Sequence, residues 1–266
     1  MNRRFFLSLL FLLGIVLSST LAPVAAQDDG LNLPTELYVL ENDGVVTRYG
    51  IGAAGITDVT PADAFVLDFA VAPSDNHIAY RTEQGLSLKP LFSNDVLTIE
   101  AETASLPPIR GRGDTLTWTA DASALAYTTL YGARVFFLNS QSFADISQAN
   151  VVSLVWSPDS TYLAVEAQNP DPNAQSSFWW IYRRDNTTFT LVSAIPSSIG
   201  IAWQSSVRII FAPETGGLYA MDLSAGNAQT ELFEPSTVYR MPFVRDDGTV
   251  TAFANVPASE ATAIPE

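Results

Sequence analysis

Trp156-Ser157-Pro158-Asp159-Ser160-Thr161-Tyr162-Leu163-Ala164-Val165 reads as the end of one apolar strand, a Pro-Asp turn and the start of a second apolar strand. Proline presets φ for the turn, and the Ser and Asp side chains can bond its backbone. The aromatic residue at the end of the first strand is placed to pack between neighbouring sheets. The small Ala in the second strand suits a place where sheets press together. The phrase recurs as Trp118-Thr119-Ala120-Asp121-Ala122-Ser123-Ala124-Leu125-Ala126-Tyr127 and, with Val in the aromatic slot, as Val71-Ala72-Pro73-Ser74-Asp75-Asn76-His77-Ile78-Ala79-Tyr80. Trp203-Gln204-Ser205-Ser206 runs into Val207-Arg208-Ile209-Ile210-Phe211 one residue short, and the last copy is Phe243-Val244-Arg245-Asp246-Asp247-Gly248-Thr249-Val250-Thr251-Ala252.

First positions fall at 71, 118, 156, 203 and 243, so the steps are 47, 38, 47 and 40 residues. Steps of roughly 40–50 residues are the length of one four-stranded blade, which predicts an all-β fold, a β-propeller. Whole blades are expected over 65–101, 115–147, 151–194 and 199–234, the first with strands near 65–71, 77–82, 86–91 and 96–100. Residues 36–40 and 45–49 flank Glu41-Asn42-Asp43-Gly44, a hairpin signature, with no copy of the phrase before them. Residues 237–244 and 249–255 carry the last copy with no outer pair after it. Joining the two halves gives five four-stranded blades, the last closed by N- and C-terminal strands, and removes exposed sheet edges.

The phrase at Trp156 resembles the Trp-Ser-Pro-Asp-Gly-x-x-Leu-Ala-Tyr repeat of TolB-like propellers, related in style to WD-repeat blades. The resemblance covers about 37–255. It implies architecture more than activity, because such propellers serve as periplasmic scaffolds, peptidase gating domains and lyases. This sequence departs from the pattern. One copy alone keeps the full Trp-Ser-Pro-Asp, and neither a sixth blade nor a separate N-terminal domain is visible, so the partners of TolB itself are not carried over.

Residues 1–26 read as a secretory signal peptide: Arg3 and Arg4, an apolar run over 5–17, then Val24-Ala25-Ala26 before a cut at Gln27. The alternative is a retained anchor, for which the run is shorter than the ~20 residues a spanning helix needs. The propeller domain is expected over 35–255 and a disordered Ala/Pro/Glu-rich tail over 256–266. The expected location is extracytoplasmic, secreted or periplasmic. The chain has no Cys, so no disulfide and no lipid-modified Cys is available. About 240 mature residues, in a chain 47% hydrophobic, are enough for a sizeable core.

The chain has 13 basic and 28 acidic residues, a net charge of −15; losing Arg3 and Arg4 leaves 11 basic residues, a net of −17. Such a surface repels nucleic acid and anionic lipid. The expected partner is a protein or a glycan, with no membrane insertion after signal cleavage.

No catalytic, cofactor-binding or metal residue is assigned, and no cofactor is implied. The loops over 50–64, 103–114 and 169–177 are expected on the face where propeller ligands bind. Asn169-Pro170-Asp171-Pro172-Asn173 has oxygen ligands at alternate positions, as in a partial Ca²⁺ loop, and equally ordinary turn chemistry. Arg112-Gly113-Asp114 matches an adhesion tripeptide and also a Gly-rich turn. Asn186-Thr187-Thr188 is a glycosylation sequon. Phe178-Trp179-Trp180-Ile181-Tyr182 reads as inter-blade packing or as an exposed carbohydrate platform. His77, the single His, sits in a turn, which argues against a His-based triad. Two functions follow. One is a non-catalytic scaffold binding through its loop face. The other is a glycoside hydrolase with channel carboxylates, for which Asp63, Asp68, Asp114 and Asp145 qualify by location and a separation of about 5–10 Å is required.

Overall fold

A computed structural model describes residues 33–51, 55–74, 76–101, 114–148, 150–169, 171, 173 and 176–255. The expected signal peptide and disordered tail, Arg112-Gly113 and most of the 103–114 loop lie outside the described residues. Every regular element among the described residues is a strand, so no helix there is long and apolar enough to cross a membrane.

Strands β1 (Leu37–Leu40), β2 (Val46–Tyr49) and β3 (Ile56–Asp58) form a three-stranded sheet. The Asn42-Asp43-Gly44 turn forms as its residues dictate. Gly44 has φ +85°, and the Val45 N–H donates to Asp43 Oδ1 at 3.1 Å. The described residues fall into two compact units, one over 33–37 and 48–57, the other over 38–47 and 58–255. Within the first, Arg48 is ion-paired to Glu36 and the Gly50 N–H donates to Gly55 O at 2.9 Å.

The second unit carries the repeats. Strands β4 (Asp68–Val71), β5 (His77–Thr82), β6 (Gly85–Pro90) and β7 (Leu97–Glu100) form one four-stranded antiparallel meander. Strands β8 (Leu116–Trp118), β9 (Ala124–Thr129), β10 (Gly132–Phe137) and β11 (Ser142–Ile146) form the next. Strands β12 (Val151–Trp156), β13 (Tyr162–Gln168), β14 (Ser177–Asp185), β15 (Thr188–Ser205), β16 (Arg208–Pro213), β17 (Leu218–Asp222) and β18 (Ala228–Phe233) make a seven-stranded sheet, and β19 (Val238–Val244) pairs with β20 (Val250–Asn255). The seven-stranded sheet is the third and fourth expected blades sharing one strand. The first part of β15 pairs with β14 and the second with β16, and Ser198 pairs with both Ser177 and Pro213. The hand-over lies at Pro196-Ser197, where Ser197 has φ 53° and the β14–β15 register shifts. A proline has no ladder donor, and a left-handed residue beside it bends the strand without ending it.

Side chains alternate between the two faces of each sheet, so each sheet supplies two cores. Leu125 and Tyr127 of β9 pack with Leu86, Leu88 and Ile99 of the preceding blade. Ala124 and Ala126 of the same strand pack with Leu154, Trp156 and Leu163 of the following blade. The pattern repeats with Ile209 and Phe211 facing one way and Ile210 and Ala212 the other. The recurring tryptophan links each blade to the one before it. The Trp118, Trp156 and Trp203 Nε1–H groups donate to Ala70 O, Thr117 O and Val155 O at 3.1, 3.3 and 3.4 Å. Each acceptor is the residue just before the first position of the preceding copy, so the phrase carries its own stacking contact.

The phrase's turn closes as its side chains imply. The Ser157 hydroxyl donates to Asp159 Oδ1 at 2.8 Å, and Asp159 accepts from the Thr161 N–H at 3.0 Å. The fifth position is left-handed at Ala122 (φ 56°) and Ser160 (φ 59°), and Ser160 Oγ accepts the Ala120 N–H of the previous blade at 2.8 Å.

Three expectations are corrected. The N- and C-terminal strands do not form one hydrogen-bonded blade: β1–β3 and β19–β20 are separate sheets. The expected 50–64 loop contains a strand, β3, which pairs with β2. The last copy is also shifted by one residue. Val244 pairs with Val250 as Trp156 pairs with Leu163, so Val244 holds the anchor position and Phe243 is 60% exposed. A strand's period of two turns a one-residue slip into a change of face.

Glycine opens the third strand in three blades, a signal the sequence reading passed over. A Cβ on Gly85, Gly132 or Gly216 would sit 2.1–2.2 Å from the carbonyl oxygen of Glu100, Ile146 or Pro235, respectively, with φ between +103° and +145°. Gly132→Ala should therefore destabilise the protein by about 2–5 kcal/mol, from backbone strain plus overpacking. A urea midpoint within error of wild type would contradict this.

Candidate functional site

Two groups of polar residues stand out, one inside the inner strands and one on the loop face. The inner group occupies equivalent positions in three blades, on facing residues of the first and second strands: Asp68 with Arg81, Thr115 with Thr128, Ser153 with Glu166. Five of the six are buried, with Arg81 3%, Glu166 4% and Ser153 0% exposed. Thr115 Oγ1 donates to Asp68 Oδ2, and the Phe69 N–H donates to Asp68 Oδ1 at 2.9 Å. Arg81 Nη2 donates to Thr128 O at 3.1 Å, tying the first blade to the second, while its Nε is buried without a partner. Burial pushes the Asp68 carboxyl above the usual carboxylate range, against the pull of Thr115, Arg81 and the Phe69 N–H. Asp114, though solvent-accessible, is also raised, by desolvation against neighbouring protein and then by the negative charge of Asp68. Burial lowers the Arg81 guanidinium, opposed by Asp68, Tyr127 and Glu100.

Of the four carboxylates that qualified for channel chemistry, the structure couples Asp68 to Asp114. Asp63 lies exposed in a turn before β4. Asp145 lies on the outer strand β11, 65% exposed and paired with Arg134. Strand position explains the separation: a blade's fourth strand is its outer edge, so Asp145 belongs to a different layer from Asp68.

The loop-face group is built by the ends of three strands and one tight turn. Glu100 ends β7, Thr129 ends β9, Leu130-Tyr131 turn into β10, and Arg134 on β10 faces Asp145 on β11. These residues, with Ala133, Ile146 and Ser147, line a cavity of 270 Å³. Arg134 sits between two carboxylates. Its Nη1 donates to Glu100 Oε2 at 2.7 Å and its Nε to Asp145 Oδ1 at 2.5 Å. Its guanidinium carbon also lies 5.5 Å from the centre of the Phe143 ring. The Asp145 hydrogen bond, more than any other influence, holds the guanidinium protonated beyond its ordinary range. The Tyr127 hydroxyl donates to Glu100 Oε2 at 3.3 Å, and burial followed by Glu100's charge pushes the phenol up. Tyr131 is 82% and Leu130 50% exposed. None of Glu100, Leu130, Tyr131 or Arg134 was singled out by the sequence reading. The usable signal was Leu130-Tyr131, two large apolar residues in a turn slot that polar residues normally fill.

The other expected sites resolve into structural roles where they are described. Asn169 Oδ1 accepts the Asp171 N–H at 3.0 Å and Asp171 Oδ1 the Asn173 N–H at 2.9 Å, which spends those oxygens on turn bonds. Trp179 and Ile181 pack toward the fourth blade and Tyr182 toward the second, so the aromatic run is inter-blade core. Asn186, with φ 55°, lies in the tight β14–β15 turn, at the other end of the blade from the cavity. His77 begins β5 with Nδ1 2.9 Å from Asn76 Oδ1, and burial lowers its pKa. A second cavity, 480 Å³, lies on β19–β20 against Met241, Pro242, Phe243, Arg245, Thr251, Ala252 and Phe253. It has few polar groups to orient a ligand.

No protein-family model matches the chain, and no curated protein matches it. Solved structures do. One is a functionally unknown protein from Desulfotomaculum acetoxidans DSM 771, at TM-score 0.55 and 13% identity over 81% of this chain and 71% of that one. Another is the tricorn protease, at TM-score 0.53 and 12% identity; the match covers 84% of this chain and 28% of that one. The β-propeller domain of Myceliophteria thermophila Cps50 (Swd1) matches at TM-score 0.49 and 13% identity, over 77% of this chain and 71% of that one. At these identities the likeness is one of fold. The successive antiparallel meanders, linked through Trp118, Trp156 and Trp203, are a propeller-like arrangement of strands.

Proposed function

We propose that the chain is an exported, non-catalytic β-propeller that binds a protein or ligand partner through its loop face. The observation that carries this reading is the cavity beside Leu130-Tyr131. A tight turn exposes an aromatic and an aliphatic side chain next to a fixed Glu100–Arg134–Asp145 array, and buried anchors ringed by polar groups are how binding surfaces are built. Export rests on Arg3, Arg4 and the apolar run over 5–17. The count of five blades rests on five copies of the phrase, four in four-stranded units and the last in β19–β20. The non-catalytic reading is supported by the engagement of Asp68 with Thr115, Phe69 and Arg81, which spends the carboxylate on structure. The net charge of −15 disfavours nucleic acid and anionic membranes as partners.

The test is capture from the source cell's envelope and secreted extracts, with the protein from Gln27 onward as bait. The partner should be lost from a Leu130→Ser/Tyr131→Ala variant and retained by Thr187→Ala, in the exposed β14–β15 turn. Both variants change exposed turn residues, so their thermal midpoints should stay near wild type. A partner held equally by all three proteins would contradict loop-face binding.

A further inference from the structure

The geometry points to a neutral sugar ring as the ligand of the loop-face cavity, an inference that rests on reading this face as the binding face. Charge narrows the choice first. Arg134 is held by Glu100 on one side and Asp145 on the other. An anion would have to take the guanidinium from two carboxylates, and a cation would have to take a carboxylate from the guanidinium. A neutral ligand displaces neither. The chain's excess of acidic residues acts in the same direction against acidic sugars.

Hydrogen-bonding capacity narrows it further. Arg134 donates through Nε and Nη1 to the two acids and lines the cavity between them. The carboxylates keep acceptor lone pairs beyond those bonds, and the Thr129 and Ser147 hydroxyls both donate and accept. Donors and acceptors side by side on one wall match adjacent hydroxyls, each of which needs one of each. The Tyr131 ring, 82% exposed, offers a flat apolar face to the C–H side of such a ring, and Leu130 extends it. Tyr131 is held at its backbone, where its N–H donates to Thr129 Oγ1 at 3.2 Å. The volume of 270 Å³ falls below the roughly 300–1,000 Å³ of sites for drug-sized ligands, which fits one ring better than a peptide.

The experiment uses the full mature protein against immobilised and soluble neutral glycans, with galacturonate and glucosamine as charged probes, read by saturation-transfer NMR and calorimetry. Neutral saccharides should bind. Tyr131→Ala should weaken them about tenfold through loss of the stacking face, and Arg134→Met should weaken them independently, both at an unchanged thermal midpoint for Tyr131→Ala. Preference for a charged probe overturns the inference. Absence of neutral-glycan binding, with capture of a protein partner still lost in the Leu130→Ser/Tyr131→Ala variant, overturns the sugar and leaves the loop face standing. Absence of both overturns the two together.

Discussion

Trp156→Ala is expected to lower the stability of the protein by about 3–5 kcal/mol, while Phe243→Ala changes it by less than about 0.5 kcal/mol. Both residues open a copy of the same phrase, so aligning the copies predicts equal losses. The structure separates them. Trp156 is 8% exposed, packs within 6.0 Å of the Phe189 ring, lies under Arg184 and hydrogen-bonds Thr117 O of the preceding blade. Phe243 is 60% exposed because the last hairpin is one residue shorter. Trp156→Phe keeps most of the packing and loses the indole hydrogen bond, at about 1 kcal/mol. Urea midpoints of the three variants check the series. Equal losses for Trp156→Ala and Phe243→Ala would restore the register read from the alignment.

Arg81→Ala is expected to cost about 1–3 kcal/mol at pH 7, because it removes the positive charge that opposes the effect of burial on the half-buried Asp68 carboxyl. It also takes the donor from Thr128 O. The penalty should depend on pH in a definite direction. Asp68 already has a folded-state pKa above its unfolded value, with burial as the main cause. Such a group contributes most to stability below its unfolded value near 3.8, and the contribution is lost as pH rises through the folded value. Removing Arg81 raises the folded value further, so the loss should be larger at pH 7 than at pH 4.5. A double variant, Asp68→Asn/Arg81→Met, leaves no buried charge unpaired and should recover most of the stability. A penalty that grows toward acid would mean that Arg81 is not acting on Asp68.

The architecture was legible because its signal is written several times. Each copy of the phrase carries an anchor, a turn and a strand, and the four-stranded units fall within a few residues of the expected spans. Where the copies degrade, legibility fails for a physical reason. At 243 a single missing residue reverses the facing of the strand, and alternation alone could not show which of Phe243 and Val244 lies inside. Between the expected blades ending at 194 and starting at 199, Ser197 absorbs the bend and β15 continues. The loop-face group was illegible for a different reason. Tyr131, Arg134 and Asp145 belong to one meander, but Glu100 reaches them from the blade before, and that meeting depends on how β7 docks against β10, which no local spacing encodes. The carboxylate list failed at Asp145 because location in sequence does not distinguish an inner strand from an outer one.

The proposals for the loop face depend on the blades stacking in chain order through their tryptophans. Hydrogen exchange of the indole N–H groups, resolved by NMR and assigned with single Trp→Phe variants, reads that stacking directly. Trp118, Trp156 and Trp203 donate to the neighbouring blade at 3.1, 3.3 and 3.4 Å, so their indole protons should be strongly protected, opening only with the blades that flank them. Exchange at the rate of a free indole for any of the three would contradict the stacking, and with it the placement of Glu100, Tyr131 and Arg134 around one cavity.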